Sequence, residues 1–122
     1  MGVDFTPIEK REEVEEVGDW FSMSYTTFGV LCSALEDIGL PELAKKLSDL
    51  AYEGGVLEEP DRIRLMKALN RILRLKKRTW VYTYGKRKKE KIRLTLGKRE
   101  KTMLRHFLDF LKEYRDYDIL VG

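Results

Sequence analysis

A single α+β domain, mainly helical, is the fold this sequence predicts, and three observations point to it. Four stretches from Phe28 onward repeat apolar residues at the spacing of a helical face. Two shorter runs between Trp80 and Leu96 alternate with period two, as half-buried strands do. The 122 residues are 43% apolar, which supports one core and not two. The expected domain is 1–122, with a basic β-hairpin after the third major helix and an amphipathic helix on the C-terminal side.

Thr6-Pro7-Ile8-Glu9 carries an N-cap residue, a proline at the first helical position and a glutamate that closes a capping box. It predicts a short acidic helix from Pro7 to about Val17, stopped by Gly18. Asp19 to Ser24 is aromatic and irregular and reads as a short strand or a loop. Phe28, Leu31, Cys32, Leu35 and Ile38 then share one helical face, which Gly39 ends. Pro41 opens a second helix whose face is Leu43, Ala44, Leu47, Leu50 and Ala51, ended by Gly54-Gly55. The short Gly39–Leu40 link sets these two helices side by side at a steep angle.

A third helix is expected from near Pro60 to about Lys77 on Leu65, Met66, Leu69, Ile72 and Leu73. Trp80–Tyr84 and Ile92–Leu96, rich in aromatic and β-branched residues, pair as a hairpin joined by Gly85–Lys91. Trp80, Tyr82 and Tyr84 lie on one side of their strand and read as core facing Ile92, Leu94 and Leu96, ahead of a platform for stacking bases. The last helix, from about Lys98 to Tyr114, turns Met103, Leu104, Phe107, Leu108, Leu111 and Tyr114 inward, and Asp118–Val121 adds a short edge strand.

Charge is the strongest functional signal. Residues 61–103 hold seventeen Lys and Arg against three acids, whereas residues 1–60 hold fourteen acids against four bases. The net charge of +3 thus hides an acidic half, 1–60, and a basic half, 61–122. A field of that kind concentrates a polyanion at one surface, and nucleic acid is the usual polyanion. On the expected third helix Arg64, Lys67, Arg71, Arg74 and Arg78 cluster about one direction, nearly opposite Leu69. Arginine forks match phosphate oxygens and guanine edges better than a lysine point charge does. The tip Lys86-Arg87-Lys88-Lys89 supplies a second cationic element able to follow a phosphate backbone. A charged tip also keeps a hairpin from pairing edge to edge with another chain.

Other classes find little support. The single Cys32 excludes an intramolecular disulfide and a cysteine-based zinc site. His106 is the only histidine and has no partner with which to build a catalytic or metal centre. No phosphate-cradling glycine loop or nucleophile elbow occurs, so no enzyme activity, cofactor, metal or small-molecule substrate is expected. Without a membrane-spanning run or a signal pattern, the expected location is the cytoplasm. The chain has no Gln and one Asn amid abundant Lys, Arg and Glu, the pattern of proteins that work at high temperature.

Three helices followed by a hairpin with a basic tip resemble a winged helix–turn–helix over roughly residues 24–97. The resemblance makes Leu43–Glu53 the supporting helix, Asp61–Lys77 the recognition helix and Gly85–Lys91 the wing, although Gly54 to Glu59 is a longer turn than that family uses. Phe21-Ser22-Met23-Ser24-Tyr25 with Phe28, and the helix–loop–helix around Gly54-Gly55-Val56-Leu57, are also similar to a set of small uncharacterised microbial proteins. Some of those carry an acidic loop like that of a calcium-binding hand. Here Ala51, Tyr52 and Gly54 occupy much of that region, so no calcium site is expected. The sequence therefore predicts a nucleic-acid-binding protein, with duplex DNA the expected ligand. The rival is a protein–protein adaptor in which the charge-segregated surfaces dock on another copy, acidic half to basic half as in a homodimer, or on an acidic partner protein.

Overall fold

The N-terminal segment is strand, not helix. The structure, a computed structural model, describes residues 2–10, 13–16 and 19–122. Strand β1 spans Gly2–Lys10, β2 Glu13–Glu16 and β3 Phe21–Ser24. Arg11, Glu12, Val17 and Gly18 of the expected acidic helix lie outside the described residues. The reversal has a physical reason. Val3 and Phe5 are buried and Asp4 between them is exposed, a period-two pattern that begins before the capping signature. A helix resting on three apolar residues loses to a strand that pairs along both edges. Pro7 fits because the β3 pairing covers Gly2–Phe5 and the β2 pairing starts at Ile8, so the proline sits at the interruption between them.

Helix α1 runs Tyr25–Asp37 and α2 Pro41–Glu53. Ser24 caps α1 by accepting the Thr27 amide hydrogen at 3.2 Å. The expected α1 and α2 faces lie inward, with Leu31, Leu35, Leu43 and Leu47 fully buried. Gly54, at a φ of 80°, ends α2 in a backbone conformation that side-chain-bearing residues avoid. Gly55–Leu57 then forms a short strand, β4, inside the link that the sequence reads as a loop.

Helix α3 is Glu59–Ile72 and ends about five residues earlier than expected. Its end tightens as the Arg74 amide donates to the Arg71 carbonyl at 3.1 Å and the Leu75 amide to that of Ile72 at 3.0 Å. Strands β5, Arg78–Tyr84, and β6, Glu90–Leu96, form a separate two-stranded antiparallel sheet. Helix α4, Lys98–Glu113, is followed by β7, Asp118–Val121.

The expected edge strand is central instead. β7 lies between β1 and β4 in an all-antiparallel sheet, with Phe5 opposite Val121 and Leu57 opposite Ile119. Fully buried Ile119 and Val121 explain this, since an edge would leave one row of their backbone groups unpaired. The inner face of this sheet meets α4 through aromatic rings. Phe107 stands 4.6 Å from Phe5 and 5.3 Å from Phe21, centroid to centroid, and Phe21 stands 5.6 Å from Phe110. Met103, expected inward, is 36% exposed, whereas Phe110 on the same flank is covered by Phe21.

Candidate nucleic-acid interface

Three of the five expected helical cations share a helix. Arg64, Lys67 and Arg71 of α3, with Leu40 and Ala68, line a depression of about 180 Å³. Arg74 falls in the turn after α3 and Arg78 is the first residue of β5, so the unbroken helical line ends at Arg71. The apolar stripe opposite is as expected, with Leu65, Leu69 and Ile72 fully buried.

Two of the five cations are held by acids of the N-terminal half. Arg64 Nη2 donates to Glu42 of α2, and Arg78 Nη1 to Asp37 of α1. Arg64 also stands 3.8 Å from Asp61, which itself binds Lys46 at 2.6 Å. Arg71 reaches the Ile38 carbonyl at 3.5 Å, while Lys67 and Arg74 are exposed. The charge halves that look separate along the chain are thus partly neutralised where α1 and α2 meet α3 and β5. The Glu42 carboxyl is held below its ordinary range, first by a hydrogen bond from its own backbone amide and then by Arg64.

The tip cations stand apart from this group. Lys86, Arg87, Lys88 and Lys89 are all exposed in the connection between β5 and β6. Gly85, at a φ of 101°, closes that connection, and any Cβ there would run into the Lys88 carbonyl. Seven-residue strands at about 3.3 Å per residue carry the tip roughly 20 Å from the hairpin root. In the aromatic row beside it, Tyr82 reaches α1. Trp80 packs against the core and Tyr82, 42% exposed, shares a 2.6 Å hydrogen bond with Ser33. The Tyr84 side chain lies outside the described residues. Burial fades along the hairpin, since Leu96 is fully buried and Ile92 is 44% exposed.

Sequence reasoning missed two groups of cations. Arg62 is 3% exposed and reaches Asp118 at 2.5 Å and the Leu57 carbonyl at 2.9 Å, tying α3 to the central sheet. Its neighbours in an otherwise basic segment hide it, and only the spacing from buried Leu65 and Leu69 hints that it faces inward. Lys98, Lys101 and Arg105 share one face of α4 with Lys77 nearby, a pattern legible in the sequence as an acid-free i, i+3, i+7 row. Among the described residues, no group of His, Cys, Asp and Glu is placed to hold a metal ion, and no helix is long and apolar enough to cross a membrane.

Cys32 is a packing residue whose thiol is pushed up to about 12, first by burial and then by the nearby Glu36 charge. The unfolded thiol ionises near 8.5, so the folded state holds the extra proton between those values. Stability from this group is complete below about pH 8.5 and is lost as pH rises toward 12. A thiol reagent at pH 8 should therefore label half-buried Cys32 much more slowly in the folded protein than in the unfolded chain, and Cys32→Ala should flatten the fall in melting temperature above pH 9. Immediate labelling of the folded protein would contradict the burial. Comparison of the chain with protein-family models, with curated proteins and with solved structures finds no match.

Proposed function

We propose that the protein binds nucleic acid through its phosphates, with duplex DNA the preferred form, as a small regulator or accessory protein of the cytoplasm. The supporting observation is the set of exposed cations outside the ion pairs of the described residues. Lys67 and Arg74 belong to it, together with the four cations of the tip. Arg71 joins them at the edge of the α3 depression, where its fork touches only one carbonyl at long range. In the winged helix–turn–helix comparison, α3 takes the place of the recognition helix and the hairpin tip that of the wing. Arg64 and Arg78 are engaged by Glu42 and Asp37 in solvent-exposed pairs, which a phosphate can displace at little cost.

A gel-shift titration against duplex DNA, duplex RNA and single strands tests the reading. Duplex DNA should bind most tightly, and failure to shift any nucleic acid at low salt would reject the proposal. Arg71 is the candidate for reading sequence, because a rigid helix holds its fork in register while the lysine-rich tip suits phosphates. Arg71→Ala should cost about 1–3 kcal/mol on a preferred site and less elsewhere. An equal loss on every duplex would make α3 a phosphate rail.

A further inference from the structure

A second cationic feature lies away from α3 and the tip. The hairpin root, the link before β5 and the first two turns of α4 enclose an open cleft of about 470 Å³. Lys77, Lys98, Lys101 and Arg105 line it, with Leu96, Gly97 and Thr102 between them, and no acid is among the lining residues. That volume is within the range of small-ligand pockets, about 300–1,000 Å³. The ion pairs of the described residues join Lys46, Arg62, Arg64 and Arg78 to acids and use none of these four cations. The acid of the same turn, Glu100, spends its Oε1 on the Gly97 amide at 3.1 Å.

The cleft is built as well as charged. Lys101 Nζ donates to the Leu75 carbonyl, which fixes one cation and fastens the link bearing Lys77 to α4. Thr102 Oγ1 donates to the Lys98 carbonyl at 2.9 Å and fixes the wall between Lys98 and Lys101. Leu96, fully buried, anchors the hairpin root beneath the cleft. Four like charges around one concavity repel one another unless an anion sits among them.

We propose that this cleft binds a phosphate group, donated either by a nucleic-acid backbone or by a free nucleotide. Lysine ammonium groups and one arginine fork match phosphate oxygens by charge-assisted hydrogen bonds. The proposal does not depend on duplex binding by α3 and the tip, since it uses none of their residues.

The test follows backbone amide shifts by NMR as pyrophosphate is added to the full chain. The expected result is saturable shifts at Lys77 and residues 96–105, with half-saturation at about 1 mM or below. The tip, roughly 20 Å from the root, should respond far less. Lys98 and Arg105 are exposed and make no contact that folding needs, so Lys98→Ala/Arg105→Ala should keep the melting temperature and weaken pyrophosphate about tenfold or more. Shifts that fail to saturate, that are as large at the tip as in the cleft, or that survive the double variant would overturn the proposal. Parallel titrations with ATP and with a short DNA duplex identify the source. A duplex that displaces pyrophosphate marks a backbone phosphate, and ATP that saturates the cleft while the duplex leaves it untouched marks a free nucleotide. If pyrophosphate fills the cleft but no nucleic acid binds anywhere, the cleft stands and the nucleic-acid reading falls.

Discussion

Replacing Arg62 by Ala should destabilise the protein by about 3–5 kcal/mol, although it removes only one surface-type residue from a basic segment. The guanidinium is 3% exposed and joins the Asp118 carboxylate, the Leu57 carbonyl and, at 3.5 Å, the Arg115 carbonyl. Without it, Asp118 faces the end of the central sheet uncompensated, and the carbonyl of Leu57 loses a charged donor. Arg62→Lys should recover only part of the loss, because one ammonium cannot span the separate directions that the fork serves. Arg64→Ala is the control. Its pair with Glu42 is solvent-exposed, with side chains 42% and 60% accessible, and such pairs contribute little to stability. A denaturant titration in which Arg62→Ala and Arg64→Ala cost the same would contradict the buried clamp.

Phe107→Ala should cost about 3–5 kcal/mol through a different mechanism. The ring is fully buried and stands within 5.3 Å of both Phe5 and Phe21, so its loss opens a cavity where α4 meets β1 and β3. Phe107→Leu keeps most of the volume and should cost markedly less. The comparison also probes the N-terminal correction directly. If residues 2–10 were helical and loosely packed, Phe107→Ala would leave Phe5 indifferent, and Phe5→Ala combined with Phe107→Ala would be additive. The sheet requires coupling between the two positions, because both mutations empty the same space.

Elements whose apolar spacing repeats over three or more turns were legible in the sequence. α1, α2 and α4 lie within a few residues of where Phe28–Ile38, Leu43–Ala51 and Leu104–Leu111 place them, because a long amphipathic face decides its own orientation. The N-terminal strands were not legible. A capping box is a local signal, whereas β1 is stabilised by β7, more than a hundred residues later, and no local pattern carries that partner. The end of α3 was missed for a related reason. Arg74 to Arg78 continues the helical spacing, but Leu75 and Arg78 find partners in Lys101 and Asp37 that the periodicity cannot show. The basic character of residues 61–103 was plain from composition. Which cations would be clasped by Glu42 and Asp37, and which left exposed, depended on how α1 and α2 dock.

The most direct test of the nucleic-acid proposal is the salt dependence of binding to a DNA duplex, measured for the natural chain and for a variant with Lys86, Arg87, Lys88 and Lys89 all replaced by Ala. The α3 cations and the tip should engage about five to eight phosphates, so log affinity should fall linearly with log salt at about −0.9 per contact. The tip variant should bind all sequences more weakly by about the same factor and flatten that slope by up to about four contacts. A concentration-dependent mass in light scattering, lost with salt, would mark docking between copies instead. A natural chain that binds duplex DNA with no salt dependence, or a tip variant with an unchanged slope, would contradict the phosphate-contact account.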